Sequence, residues 1–149
     1  MRAPCRMLSV SLGIALAACG DGGTAPDSST FEGTWVATKV EYTSVANPAT
    51  KVDVISLGGT LTVQFNAGGS YSSVMTVPGD PQQATNGTWS ASVDVFTLHW
   101  VESGITNEMQ FDYTLSGNTL TLVGADSDFD FAGTDTFVAA KLNVTLVRQ

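Results

Sequence analysis

From residue 31 onward the chain alternates between apolar and polar positions. Between 34 and 43, Trp35, Ala37, Lys39 and Glu41 fall on one side of an extended segment, and Val36, Thr38, Val40 and Tyr42 on the other. Residues 60–65 bring Leu61, Val63 and Phe65 to one face, and residues 95–101 do the same with Phe96, Leu98 and Trp100. A period of two belongs to a strand with one buried face; no window repeats every 3.6 residues as an amphipathic helix does. Further runs at 70–77, 87–91, 105–115, 119–123 and 136–147 are rich in β-branched and aromatic residues, and residues 51–57 read as either a strand or a loop. Turn residues punctuate the runs at Asn66-Ala67-Gly68-Gly69, Val93-Asp94, Ser103-Gly104 and Ser116-Gly117-Asn118, with the longest loop signal at Pro78-Gly79-Asp80-Pro81. About eight or nine short strands with tight connections predict an all-β fold, an antiparallel up-and-down barrel or a sandwich. The barrel is the preferred reading because closure leaves no exposed edge.

Residues 1–18 follow a different pattern. Arg2 and Arg6 precede an apolar run, residues 7–18, broken only by Ser9, Ser11 and Gly13. This is the charged, apolar and small-residue sequence of a secretory signal peptide, and it is too short for a membrane span of about 20 residues. It ends in Leu16-Ala17-Ala18-Cys19, which resembles the lipobox of bacterial lipoproteins. The resemblance implies that diacylglycerol is attached to the Cys19 sulfur, that cleavage leaves Cys19 first in the chain, and that its amine is open to further acylation, for example by palmitate. Residues 19–30, rich in Gly, Ser, Thr, Asp and Pro, then read as the lipidated cysteine and a flexible tether. Gly20 is not the aspartate that resembles an inner-membrane retention signal, so in a two-membrane cell the expected location is the outer membrane.

Removing the leader from the 149 residues leaves room for one domain, residues 31–149. Cys5 departs with the leader, so the mature chain has no cysteine pair and depends on packing. Arg2 and Arg6 depart too, which takes the formal charge from −8 to −10, with Lys39, Lys51, Lys141 and Arg148 facing fourteen acids. Such a surface repels phosphate backbones and excludes nucleic acid as a partner. It also makes anionic head groups poor partners, so acyl chains rather than a basic patch are expected to hold the membrane.

Three stretches resemble the lipocalin-like domains of bacterial lipoproteins. The first is Phe31-Glu32-Gly33-Thr34-Trp35, with Gly-x-Trp opening a strand. The second is the hairpin from Leu61 to Tyr71 followed by Gly87-Thr88-Trp89, and the third runs from Tyr113 through Ser116-Gly117-Asn118 to Leu122. Phe111-Asp112-Tyr113 partly matches the lipocalin Thr-Asp-Tyr motif. The resemblance implies an eight-stranded barrel in which Gly33 and Trp35 open the first strand and the tryptophan packs at the closed end beneath an arginine of the last strand. Arg148 is the one arginine left in the mature chain. Its guanidinium is therefore expected over the Trp35 indole, a cation–π contact of about 0.5–2 kcal/mol.

Little in the chain points to catalysis. His99 is the single histidine, it falls opposite Phe96, Leu98 and Trp100 by alternation, and no Gly-x-Ser-x-Gly elbow is present. No His/Cys metal site or Cys-His nucleophile can be assembled, so the expectation is a non-enzyme without a cofactor. Asp126, Asp128, Asp130 and Asp135 read as either a solvated acidic loop or an irregular calcium site. An EF-hand is excluded, because Phe131 and Phe137 stand where that loop requires Gly and Glu. Phe65, Tyr71, Trp89, Phe96, Trp100 and Tyr113 are expected inside the barrel, where they either fill it or line a site for one small hydrophobic ligand. Two functions follow: an envelope lipoprotein binding such a ligand, or a protein-binding module or enzyme inhibitor that works through its loops around a filled interior.

Overall fold

The computed structural model describes residues 23–149; Cys5, Cys19 and the leader lie outside the described residues. A 3-10 turn at Ser28–Thr30, whose Ser29 N–H donates to the Asp27 carboxylate, leads into the sheet. The strands are β1 (Gly33–Ser44), β2 (Lys51–Asp53), β3 (Thr60–Phe65), β4 (Ser70–Thr76), β5 (Gln83–Ala91), β6 (Val95–Glu102), β7 (Ile105–Ser116), β8 (Thr119–Phe129) and β9 (Val138–Arg148). Every pairing is antiparallel. From β3 to β9 each strand pairs with the next in sequence, β3 pairs with β1, and β9 returns to β1, so eight strands close an up-and-down barrel. The extra strand β2 shares one edge of β1 with β3: Gly33–Val36 pair with β3, and Glu41–Thr43 pair with β2. Between them Asp53 completes the ladder. Its carboxylate accepts the Val40 N–H at 3.1 Å, while the Val54 N–H donates to the Val40 carbonyl at 2.9 Å.

The barrel has two unlike ends. The start of β1, the turns after β3, β5 and β7, and Arg148 lie at one; the loops after β1, β4, β6 and β8 lie at the other. The first end is plugged by aromatic rings. Phe96 stacks on Trp89 with centroids 5.6 Å apart, and Phe31 meets Trp89, Phe96 and Tyr113 edge-on at 5.4–5.6 Å. Phe65 lies 5.3 Å from Phe96. Edge-to-face packing aligns ring edges with ring faces and adds about 0.5–1.5 kcal/mol per pair to the burial itself.

Two features differ from the alternation read along the chain. In β1 the register shifts between Ala37 and Lys39, so that Thr38 has no partner in β9. Trp35 and Ala37 face inward before this bulge, and Val40, Tyr42 and Ser44 after it. Lys39 and Glu41, expected on the Trp35 face, are instead outside, where Glu41 accepts an ion pair from Lys39 at 2.8 Å and from Lys51 at 3.5 Å. In β8 a second shift between Leu122 and Ala125 is held by the Gly124 N–H, which donates to the Asn143 side chain at 2.9 Å. The strand therefore runs on through Asp126 and Asp128, which the sequence assigned to a loop. A bulge adds one residue and turns the following side chains to the opposite face, and both bulges flank β9.

Candidate ligand-binding lumen

Above the aromatic plug the barrel is hollow. A cavity of about 550 Å³ opens at the second end, within the range of about 300–1,000 Å³ typical of small-molecule sites. Its depth is apolar, with Val63, Leu98, Met109, Phe111, Leu122 and Val144 on the wall, and its polar side chains are Ser73, Gln83, Thr85, Glu102 and the Tyr71 phenol. Burial pushes the Tyr71 phenol above its ordinary pKa, so the hydroxyl stays protonated and able to donate.

The mouth is off centre. On the β1, β8 and β9 side, Tyr42 stacks on Phe129 at 4.3 Å and Phe129 meets Phe131 at 5.0 Å, with buried Val54 nearby in the core. Burial also raises the Tyr42 pKa. That half of the second end is covered by rings, and the cavity reaches solvent on the side of β3 to β7.

Of the six aromatic residues expected to line a ligand, Phe65, Tyr71 and Trp100 border the cavity. Trp89, Phe96 and Tyr113 instead belong to the plug, and the Tyr113 hydroxyl donates to the Ser92 carbonyl at 2.7 Å. Alternation places all six inward; only their height along the barrel axis separates plug from wall. Met109, Gln83 and Glu102 also line the lumen and went unread. Glu102 was legible in principle, since it continues the Phe96, Leu98, Trp100 series by one step.

Arg148 lies over Trp35, its Cζ 4.6 Å from the ring centroid. The guanidinium also donates to the Glu32 carbonyl at 3.1 Å and to the Thr30 carbonyl. Trp35 is wholly buried, and its indole N–H donates to the Phe31 carbonyl at 2.8 Å. Gly33, which opens this strand, has φ of 127°, in a region that side-chain-bearing residues avoid.

His99 is on the outer face, where its Nδ1 is 3.3 Å from the Glu108 carboxylate across the β6–β7 ladder. The four aspartates do not converge. Asp126 accepts from Lys141 at 2.6 Å, Asp128 is exposed on β8, and Asp130 accepts the N–H groups of Ala132, Gly133 and Asp135. Partial desolvation raises the Asp130 pKa, but these N–H bonds outweigh it and leave the carboxyl below its ordinary value. Among the described residues no three His, Cys, Asp or Glu side chains come together as a metal site. The candidate calcium ligands Asp126, Asp128, Asp130 and Asp135 are thus dispersed, because two of them sit on a strand and one folds its own loop.

Neither the characterised proteins nor the solved structures yield a match to this chain. The family model described as the lipocalin-like domain does match, over residues 31–122, a span that runs from the plug residue Phe31 through Trp35, Trp89 and Phe111 into β8. With more than half its length matched and its barrel closed by eight antiparallel strands, the chain belongs to the lipocalin-like domain family.

Proposed function

We propose that the protein is an envelope lipoprotein, held by an acylated Cys19, whose barrel binds one small apolar molecule in its lumen. The observation that carries the binding role is the solvent-connected cavity of about 550 Å³ with an apolar depth and a polar mouth. Burial of ligand surface there contributes about 25 cal/mol per Å², and the polar groups at the rim set orientation. A filled interior would favour the competing reading, a loop-borne protein-binding module or enzyme inhibitor; the open cavity supports the ligand-binding one.

Ser73 faces the open part of the lumen, opposite Val63 on the neighbouring strand. The neutral dye N-phenyl-1-naphthylamine is expected to brighten on binding the protein. Ser73→Trp, which puts a ring into that space, should weaken this binding about tenfold or more while leaving the far-ultraviolet circular dichroism unchanged. Undiminished dye binding by a folded Ser73→Trp variant would overturn the lumen as the site.

The lipid anchor rests on the residues from Leu16 to Cys19 and on chain length. Gly23 lies against the Val93 side chain at the plugged end, and residues 26 and 28 border a recess beside Gly68 and Trp89 there. Cys19 is four residues earlier, a reach of about 14 Å at full extension. An acylated Cys19 would hold the plugged end toward its membrane and turn the mouth away. In bacterial cells expressing the protein, labelled palmitate should enter the wild-type chain and not Cys19→Ser; an unlabelled wild type would remove the anchor.

A further inference from the structure

The wall of the barrel is parted beside its mouth. β5 and β6 pair from Ala91 and Phe96 up to Gly87 and Trp100, and there the ladder stops, although β5 begins four residues earlier at Gln83 and β6 continues to Glu102. Between the parted segments lies a second recess of about 230 Å³, bordered by Ala84, Thr85, Asn86, Trp100, Val101 and Glu102. Four of these residues, Ala84, Thr85, Trp100 and Glu102, also border the lumen. The recess therefore adjoins the lumen beside its mouth, a doorway-like notch with Trp100 and Glu102 on one side.

The charge at this doorway is one-sided. Among the described residues that line the lumen and the recess, Glu102 is the one carboxylate, and no Lys, Arg or His is present. The described cations are elsewhere: Lys39 and Lys51 on Glu41, Lys141 on Asp126, and Arg148 on Trp35 at the far end. Glu102 makes no ion pair among the described residues. An anionic head group arriving here would meet an uncompensated carboxylate with nothing to neutralise it. A cationic one would meet the carboxylate and the Trp100 indole, a pairing that suits positive charge.

We propose that the lumen takes an amphiphile with a cationic head and an apolar body, the head seated in the β5–β6 doorway by Glu102 and Trp100 and the body in the barrel. This rests on the lumen being a ligand site, and it adds the sign of the ligand's charge. Anionic amphiphiles such as fatty acids are selected against.

The test is displacement of N-phenyl-1-naphthylamine, below micelle-forming concentrations, by three chains of equal length: decyltrimethylammonium, decanol and decanoate. Decyltrimethylammonium is expected to displace the dye at about fivefold lower concentration than decanol, with decanoate the weakest. Glu102→Gln should erase the difference between the first two and leave decanol unchanged. Glu108→Gln, which removes a carboxylate on the outer face of β7, should keep the preference. Equal displacement by all three chains, decanoate leading, or a preference that survives Glu102→Gln would each overturn the charge selection while leaving the lumen as a site. Failure of the dye and of every chain to bind would instead overturn the lumen reading and this inference with it.

Discussion

At the scale of single residues, Trp35 and Arg148 tie the first and last strands of the barrel together at its plugged end. Trp35 pairs with Arg148 in the β1–β9 register, and the guanidinium both covers the indole and bonds the carbonyls of Thr30 and Glu32. Arg148→Ala should cost about 0.5–2 kcal/mol and lower the melting temperature by about 2–8 °C, read by circular dichroism; an unchanged melt would show the contact to be idle. Gly87 acts through the space it leaves empty. A Cβ there would stand 1.8 Å from the His99 carbonyl oxygen and 2.9 Å from the Tyr71 ring, so the last paired residue of β5 leaves no room for a side chain. Gly-x-Trp at 33–35 and Gly-x-Trp at 87–89 look alike in sequence. Their reasons differ: the first glycine answers to backbone dihedral angle, the second to a neighbour's backbone.

At the scale of elements, the instructive strands are the two that carry bulges. Alternation read along β1 puts Lys39 on the side of Trp35, and the structure puts it outside because Thr38 is one residue more than β9 can pair. Deleting Thr38 makes the series Trp35, Ala37, Val40, Tyr42 unbroken. The variant should keep a single cooperative thermal transition at a cost below about 3 kcal/mol. Loss of the transition would mean that the twist supplied by the bulge is needed for closure. In β8 the same device hides a strand from the sequence reader: after Gly124 the acids alternate outward with Ala125, Ser127 and Phe129 inward. The beginning of β5 was hidden for another reason. Residues 83–86 have weak strand propensity, and they are extended because β4 offers an edge to pair with.

At the scale of the molecule, the barrel divides its labour along its axis. Rings from four strands and from Phe31 fill one end and supply packing that a barrel without cysteines among the described residues requires; the other end gives up packing to enclose space. An eight-stranded barrel is wide enough for its side chains to fill it or to leave one ligand's room. This chain does both, at different heights. The short segment before β1 lies at the filled end, so the proposed anchor at Cys19 is compatible with a mouth at the far end.

The sequence by itself determined the strand content, nearly all of the turns and the inward character of Phe65, Leu98 and Trp100, because each depends on a two-residue period or on local turn residues. It also supplied the lipocalin-like resemblance, which implied Arg148 over Trp35 and which the family match upholds. Only the tertiary structure decided which inward aromatics form the plug and which face open space, since alternation reports direction and not height. It alone placed Asp126 and Asp128 on a strand, turned Lys39 outward, and set Glu102 beside Trp100 at a gap in the wall. Bulges and ladder ends arise from what the partner strand lacks, and a partner more than a hundred residues away, as β9 is from β1, leaves no mark on the local pattern.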